Sequence, residues 1–131
     1  MRDAKAVIRR GFTLIELLIV VVIIGLLAAI AAPMFSNTKG KSYAASMRSD
    51  LRNLGSQQEG YFYFNGRYAP DVALTSFSSS SGVVLTVQEA SESGWSALAT
   101  HPAAAPMTCA VFFGTAAPVA PATVEGVVEC E

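Results

Sequence analysis

One carboxylate, Glu16, stands inside a run from Phe12 to Ala32 in which 19 of 21 positions are apolar or glycine. An acid in such surroundings costs roughly 3 kcal/mol on membrane insertion, so the chemistry open to it is pairing with a cation. An ammonium beside it would offset two desolvation penalties at once. Two cysteines, Cys109 and Cys130, fall in the last quarter of the chain. If that quarter is exported, a disulfide is the expected state, closing a loop of about 22 residues worth roughly 3 kcal/mol on the chain-entropy model. The alternative is two unpaired buried thiols. The single histidine, His101, directly precedes Pro102. No Ser/His/Asp set, Cys/His metal spacing or phosphate-binding glycine loop can be assembled around it. It reads as a strand-edge residue, and the chain as neither an enzyme nor a cofactor binder. Glu125, Glu129 and Glu131 lack an aspartate-rich loop and read as a solvated strand edge rather than a metal site.

The element that positions Glu16 is the apolar run itself. As a helix it is about 31 Å long at ~1.5 Å per residue, close to the ~30 Å core of a bilayer. Being apolar on every side, it belongs in lipid or inside an assembly. Overall the chain has 131 residues, 52% hydrophobic and 15% charged, with a formal net charge of −1. That small value conceals an asymmetry. Arg2, Lys5, Arg9 and Arg10 against Asp3 make the first eleven residues basic, while the remainder is mildly acidic. Four cations ahead of an apolar span put the N-terminus in the cytoplasm and the rest of the chain outside. From Gly66 onward Arg67 is the sole basic side chain other than His101, so nucleic acid is disfavoured as a partner of the C-terminal half.

Past Pro33 the pattern is still helical. Ala44, Met47, Leu51, Leu54, Gln58 and Tyr61 follow a 3, 4, 3, 4, 3 spacing, with Lys41, Arg48, Arg52 and Gln57 mainly off the stripe. This predicts an amphipathic helix to about Phe64, stopped by Asn65-Gly66. Beyond it, alternation at Val83–Glu89, Trp95–His101 and Thr108–Phe113, and a shorter stretch at Gly126–Cys130, predicts three or four antiparallel strands. Val83, Leu85 and Val87 would share one face, as would Trp95, Ala97 and Ala99, and Cys109, Val111 and Phe113. So small a sheet buries little alone and should lean on the helical stripe. The fold class is therefore α+β, a long N-terminal helix packed on a three- or four-stranded antiparallel sheet. Tyr61, Phe62, Tyr63 and Phe64 are expected to pack where helix meets sheet. Ser76–Gly82 and Thr115–Thr123 are expected to be exposed loops.

Gly11-Phe12-Thr13-Leu14-Ile15-Glu16, with a basic leader before it and a long apolar run after it, resembles the class III signal of type IV pilins and of the pseudopilins of type II secretion. The resemblance covers residues 9 to 36, including Pro33. It implies a leader at 1–11 cut after Gly11 by a prepilin peptidase, with Phe12 as the new N-terminus and the site of N-methylation. Glu16 would be the family's acid at the fifth mature position, and the segment from Gly25 to Pro33 would loosen in a filament. The implied organisation is a membrane or filament-core half at 12–37, an amphipathic half at 38–65 and a β-sheet head at 66–131. The implied partners are membrane lipid before assembly, an inner-membrane assembly platform, and other pilins in a helical homo-oligomer at the cell surface. Cleavage would also create an α-amino group with a reference pKa near ~8, one helical turn from Glu16, in the same subunit or a neighbour.

Three other readings compete. The subunit could be a pseudopilin of a type II secretion system, or a minor pilin rather than a major one. It could also be a secreted soluble domain, since Ala29-Ile30-Ala31 fits an ordinary signal-peptidase site. That last reading needs an apolar region longer than usual, interrupted by Glu16 and followed closely by Pro33.

Overall fold

The computed structural model describes residues 11–131. Residues 1–10 lie outside the described residues, and with them the basic leader side chains that set the expected orientation. A helix, α1 (Leu14–Asn65), is followed by four strands: β1 (Val84–Ala90), β2 (Gly94–Thr100), β3 (Thr108–Gly114) and β4 (Glu129–Cys130). The chain divides into two compact units, one ending at Asn37 and the other running from Thr38 to Glu131.

In the first unit every residue from Gly11 to Met34 is exposed. Leucine, isoleucine and valine side chains cover α1 here on all sides, and none of the described residues shields them. The segment is long and apolar enough to cross a membrane. Pro33 lies inside α1. It supplies no backbone N–H, so the ladder is one bond short at that turn.

In the second unit α1 presents the expected stripe. Ala44, Met47, Leu51, Leu54 and Gln58 are buried, and Tyr61 is half-buried. The strands form one antiparallel meander in the order β1-β2-β3-β4. Trp95, Ala97 and Ala99 of β2 and Cys109 and Val111 of β3 meet Met47, Leu51 and Leu54 in a single core. Trp95, fully buried, stacks on Phe113 with ring centroids 5.1 Å apart. Alternation thus selected the inward faces as period-two geometry requires. A register shift between Val87 and Glu89 puts Ala90, rather than Glu89, on the core side together with Leu85.

At the end of α1, Gly66 takes φ 68° and its N–H donates to the Phe62 carbonyl, the left-handed helix stop that glycine suits. Gln58 then ties the chain back. Its Nε2 donates to the Ala69 carbonyl at 2.9 Å and its Oε1 accepts from the Ala69 N–H at 2.7 Å, all buried. A polar residue on the apolar stripe is thereby satisfied at both ends by one backbone unit.

Three expectations change. Tyr63 and Phe64 are 82% and 83% exposed, and only Phe62 of that quartet packs closely on an aromatic of the head, Tyr68, at 4.8 Å. Four successive helical residues point around the whole axis, so they cannot all face one sheet. The segment after β3 is not a free loop either. Ala116 and Ala122 are buried, and Ala122 covers Ala110 and Phe112 on the sheet face turned away from α1. Finally, β4 comprises two residues rather than five.

Candidate functional site

The N-terminal site is built from Thr13 and Glu16. Thr13 precedes the first helical residue and its Oγ1 accepts from the Glu16 N–H at 3.2 Å. Glu16 reaches back, its Oε2 accepting from the Thr13 N–H at 2.9 Å and from the Thr13 hydroxyl at 2.7 Å. This is a reciprocal capping box, satisfying two of the donors that a helix start leaves open. The acid also sits in the first turn, where the helix dipole favours negative charge. Both contacts fall on Oε2. Phe12 and Gly11 are both exposed immediately ahead of the box. Thr13 is the residue that sequence reasoning missed here, although the spacing Thr-x-x-Glu is itself a capping signature.

Gly25 and Pro33 lie further along α1 on the exposed apolar surface. A Cβ added at Gly25 would meet nothing within 4 Å, so its small size serves no contact inside a single copy.

The head is held by polar staples that the pattern of apolar residues did not announce. Cys109 and Cys130 are joined in a disulfide between directly opposed residues of β3 and β4, with Cα atoms 4.0 Å apart. The flanking Thr108 and Glu131 exchange both backbone hydrogen bonds, so the cysteines occupy the narrow, non-hydrogen-bonded pairing that brings side chains closest. Arg48 of α1 places its Nε 3.2 Å from the Cys130 sulfur. Asp50, buried beside the stripe, accepts from the Ser80 N–H at 2.7 Å and the Ser80 hydroxyl at 2.8 Å, docking the serine-rich loop.

The acidic residues near the end serve the same purpose. Glu125 accepts from the Gly114 N–H at 2.7 Å, and Glu89 from the Ala117 N–H at 3.0 Å. Glu129 accepts from both the N–H and the hydroxyl of Thr123. The Thr123 N–H, then its hydroxyl, hold the Glu129 carboxyl below the usual glutamate range. Glu125 and Glu129 are loop staples, which corrects the reading of a merely solvated edge for these two, while Glu131 is exposed as expected. Among the described residues no group of three His, Cys, Asp or Glu side chains is placed to share a metal ion. His101 caps the short turn Pro102–Ala104, its Nδ1 accepting from the Ala103 N–H, and stacks on Tyr43 of α1 at 4.2 Å. Its role is to brace the strand end.

Residues 8–32 match the model of the prokaryotic N-terminal methylation motif. The N-terminal segment is similar to those of type IV pilins and of type II secretion core proteins. Over 60 residues, 46% of this chain, it is 47% identical to the type IV major pilin protein PilA of Myxococcus xanthus. Over 60 residues it is 40% identical to the type II secretion system core protein G of Dickeya chrysanthemi. Over 47 residues it is 51% identical to the type IV major fimbrial protein FimA of Dichelobacter nodosus. The chain spans 27%, 39% and 30% of the length of these three relatives. The capping box and the exposed apolar surface of α1 lie within the segment that matches the methylation motif.

Proposed function

We propose that this chain is a structural subunit of a type IV pilus-like filament, with no catalytic role. A prepilin peptidase cuts after Gly11 and methylates the new N-terminal Phe12. The subunit waits in the inner membrane with its N-terminus on the cytoplasmic side and residues 12–37 in lipid. An assembly platform then moves it into a helical homo-oligomer at the cell surface, where 12–37 form the filament core. Residues 38–65 carry the sheet head at 66–131 outward. The exchange of lipid for neighbouring helices keeps the apolar run out of water throughout. Close packing is helped by Gly25, Ala28, Ala29, Ala31 and Ala32, and Gly25 with Pro33 weakens α1 where it must adapt.

The observation that carries this reading is the apolar stretch from Phe12 to Met34, exposed at every residue and headed by one acid. Within the subunit Thr13 engages Oε2 of Glu16, and Oε1 is the atom offered to the α-amine of Phe12 in a neighbouring copy. Mass spectrometry of filaments sheared from cells tests it. The expected result is an abundant chain beginning at methylated Phe12 with Cys109 and Cys130 bonded. A mature chain beginning at Ala32 and free in solution would instead establish the secreted-domain reading.

The similarity to a type II secretion core protein supports a second reading, a pseudopilin, through the same N-terminal segment. The two differ in where the filament is found. Recovery from the cell surface by shearing favours the pilin, and retention in the envelope favours the pseudopilin.

A further inference from the structure

The two sulfurs of the head's disulfide sit in unlike surroundings. Cys109 is wholly buried in the core formed with Met47, Leu51 and Trp95. Cys130 is half-buried, and the exposed Arg48 side chain brings its Nε to 3.2 Å from the Cys130 Sγ. A disulfide sulfur is a weak acceptor, so this contact gains little while the bond is closed. A thiolate in the same place would be a full anion against a cation that keeps its charge at every working pH.

The other charges nearby do not cancel that cation. Arg52 lies one turn further along the same flank of α1, and Asp50 is turned to Ser80. On β3 the only ionisable side chain is Cys109 itself. Glu129 and Glu131 flank Cys130, where strand alternation turns neighbouring side chains to the other face, and the Glu129 carboxylate is held by Thr123. Backbone pairing between Thr108 and Glu131 keeps the two cysteines opposed without help from the bond.

We propose that Cys130 is the reactive sulfur of the pair, with Arg48 as its positioning residue, and that the bond is made through a mixed disulfide at Cys130. The Cys130 thiolate attacks one sulfur of an external disulfide, RSSR, forming Cys130–SR and expelling RS⁻. The Cys109 thiol then gives up its proton, its thiolate attacks the Cys130 sulfur, and a second RS⁻ leaves. Two electrons pass from the cysteines to RSSR, and the two thiol protons end on the two RS⁻ groups. Burial bars the reverse order, since RSSR cannot reach Cys109 in the folded head. Arg48 binds a thiolate better than a disulfide sulfur, so it speeds closure and also makes the closed bond easier to reduce. A merely structural contact has the opposite sign, because its loss would loosen the head and ease reduction. This chemistry needs only the folded head and holds whether or not the chain builds a filament.

The test uses the reduced full-length chain in detergent micelles, with Trp95 fluorescence reporting a folded head, and oxidised glutathione as RSSR. Cys109→Ser should trap glutathione on Cys130 several-fold faster than Cys130→Ser traps it on Cys109. With both cysteines present at pH 7, Arg48→Gln should close the bond roughly three- to five-fold more slowly, and Arg48→Lys should recover most of the rate. That gap should shrink toward pH 10, where an ordinary thiol ionises unaided. In glutathione buffers at pH 8, the bond of Arg48→Gln should need more reduced glutathione to open than that of wild type. Equal trapping at the two cysteines, an unchanged closure rate in Arg48→Gln, or a bond that opens more readily in that variant would each overturn the proposal. If the serine variants do not fold, the Arg48 series decides alone. If Arg48→Gln does not fold, Arg48→Lys and the trapping rates decide.

Discussion

Glu16 joins two demands on one side chain. Its Oε2 closes the capping box with Thr13, and in the proposed filament its Oε1 meets an amine made by proteolysis. Glu16→Val should therefore still enter the membrane, more readily than wild type, yet lower the yield of sheared filaments at least ~10-fold, as immunoblots of the sheared and membrane fractions would show. Equal filament yield would remove the pairing role. Gln58 is the corresponding polar exception in the head. Gln58→Leu leaves the Ala69 N–H and C=O without partners in a buried site, at about 2–4 kcal/mol. Chemical denaturation followed by the fluorescence of Trp95, the chain's one tryptophan, reads that loss. Glu129 adds a pH dependence. Its carboxyl titrates lower in the folded head than in the unfolded chain, so its staple is fully present above the ordinary glutamate pKa of ~4.3. It is lost as pH falls through the lower folded value. The protection factor of the Thr123 amide should fall across that acidic window and be low at every pH in Glu129→Ala.

At the scale of elements, periodicity was a sound guide wherever one face was buried. The stripe from Ala44 to Gln58 and the inward triplets of β2 and β3 follow directly from spacings of 3.6 and 2, while in β1 the register shift brings Ala90 to the core in the alternation's place. The stop at Asn65-Gly66 was equally legible, because a residue at φ 68° favours glycine. Gly66→Val should cost about 1–2 kcal/mol and fray the last turn of α1, visible as lost amide protection at residue 66 and its neighbours. Aromatic composition was a poor guide at Tyr61–Phe64, since hydrophobic type does not choose a direction around a helix. The segment after β3 was misjudged for a related reason. Its alanines and prolines resemble a loop, and the partners that pin it, Glu89, Glu125 and Glu129, are 28, 11 and 6 residues from the groups they hold.

For the whole molecule, the head is a small sheet whose last strand has two residues, tied to β3 by the Cys109–Cys130 bond. Cys109→Ser/Cys130→Ser should lower its stability by about 3 kcal/mol, the loop-closure value for this separation, measured by denaturation under matched conditions. The amino-acid sequence by itself determined the apolar rod, its single acid, the basic segment ahead of it and the α+β order of elements. Those features depend on composition and on neighbours a few positions away, where hydrophobicity and backbone period act directly. The tertiary structure alone decided which polar groups staple the head and which face the segment after β3 covers. These depend on contacts between residues remote in the chain, and such contacts follow from how the elements pack rather than from any local pattern.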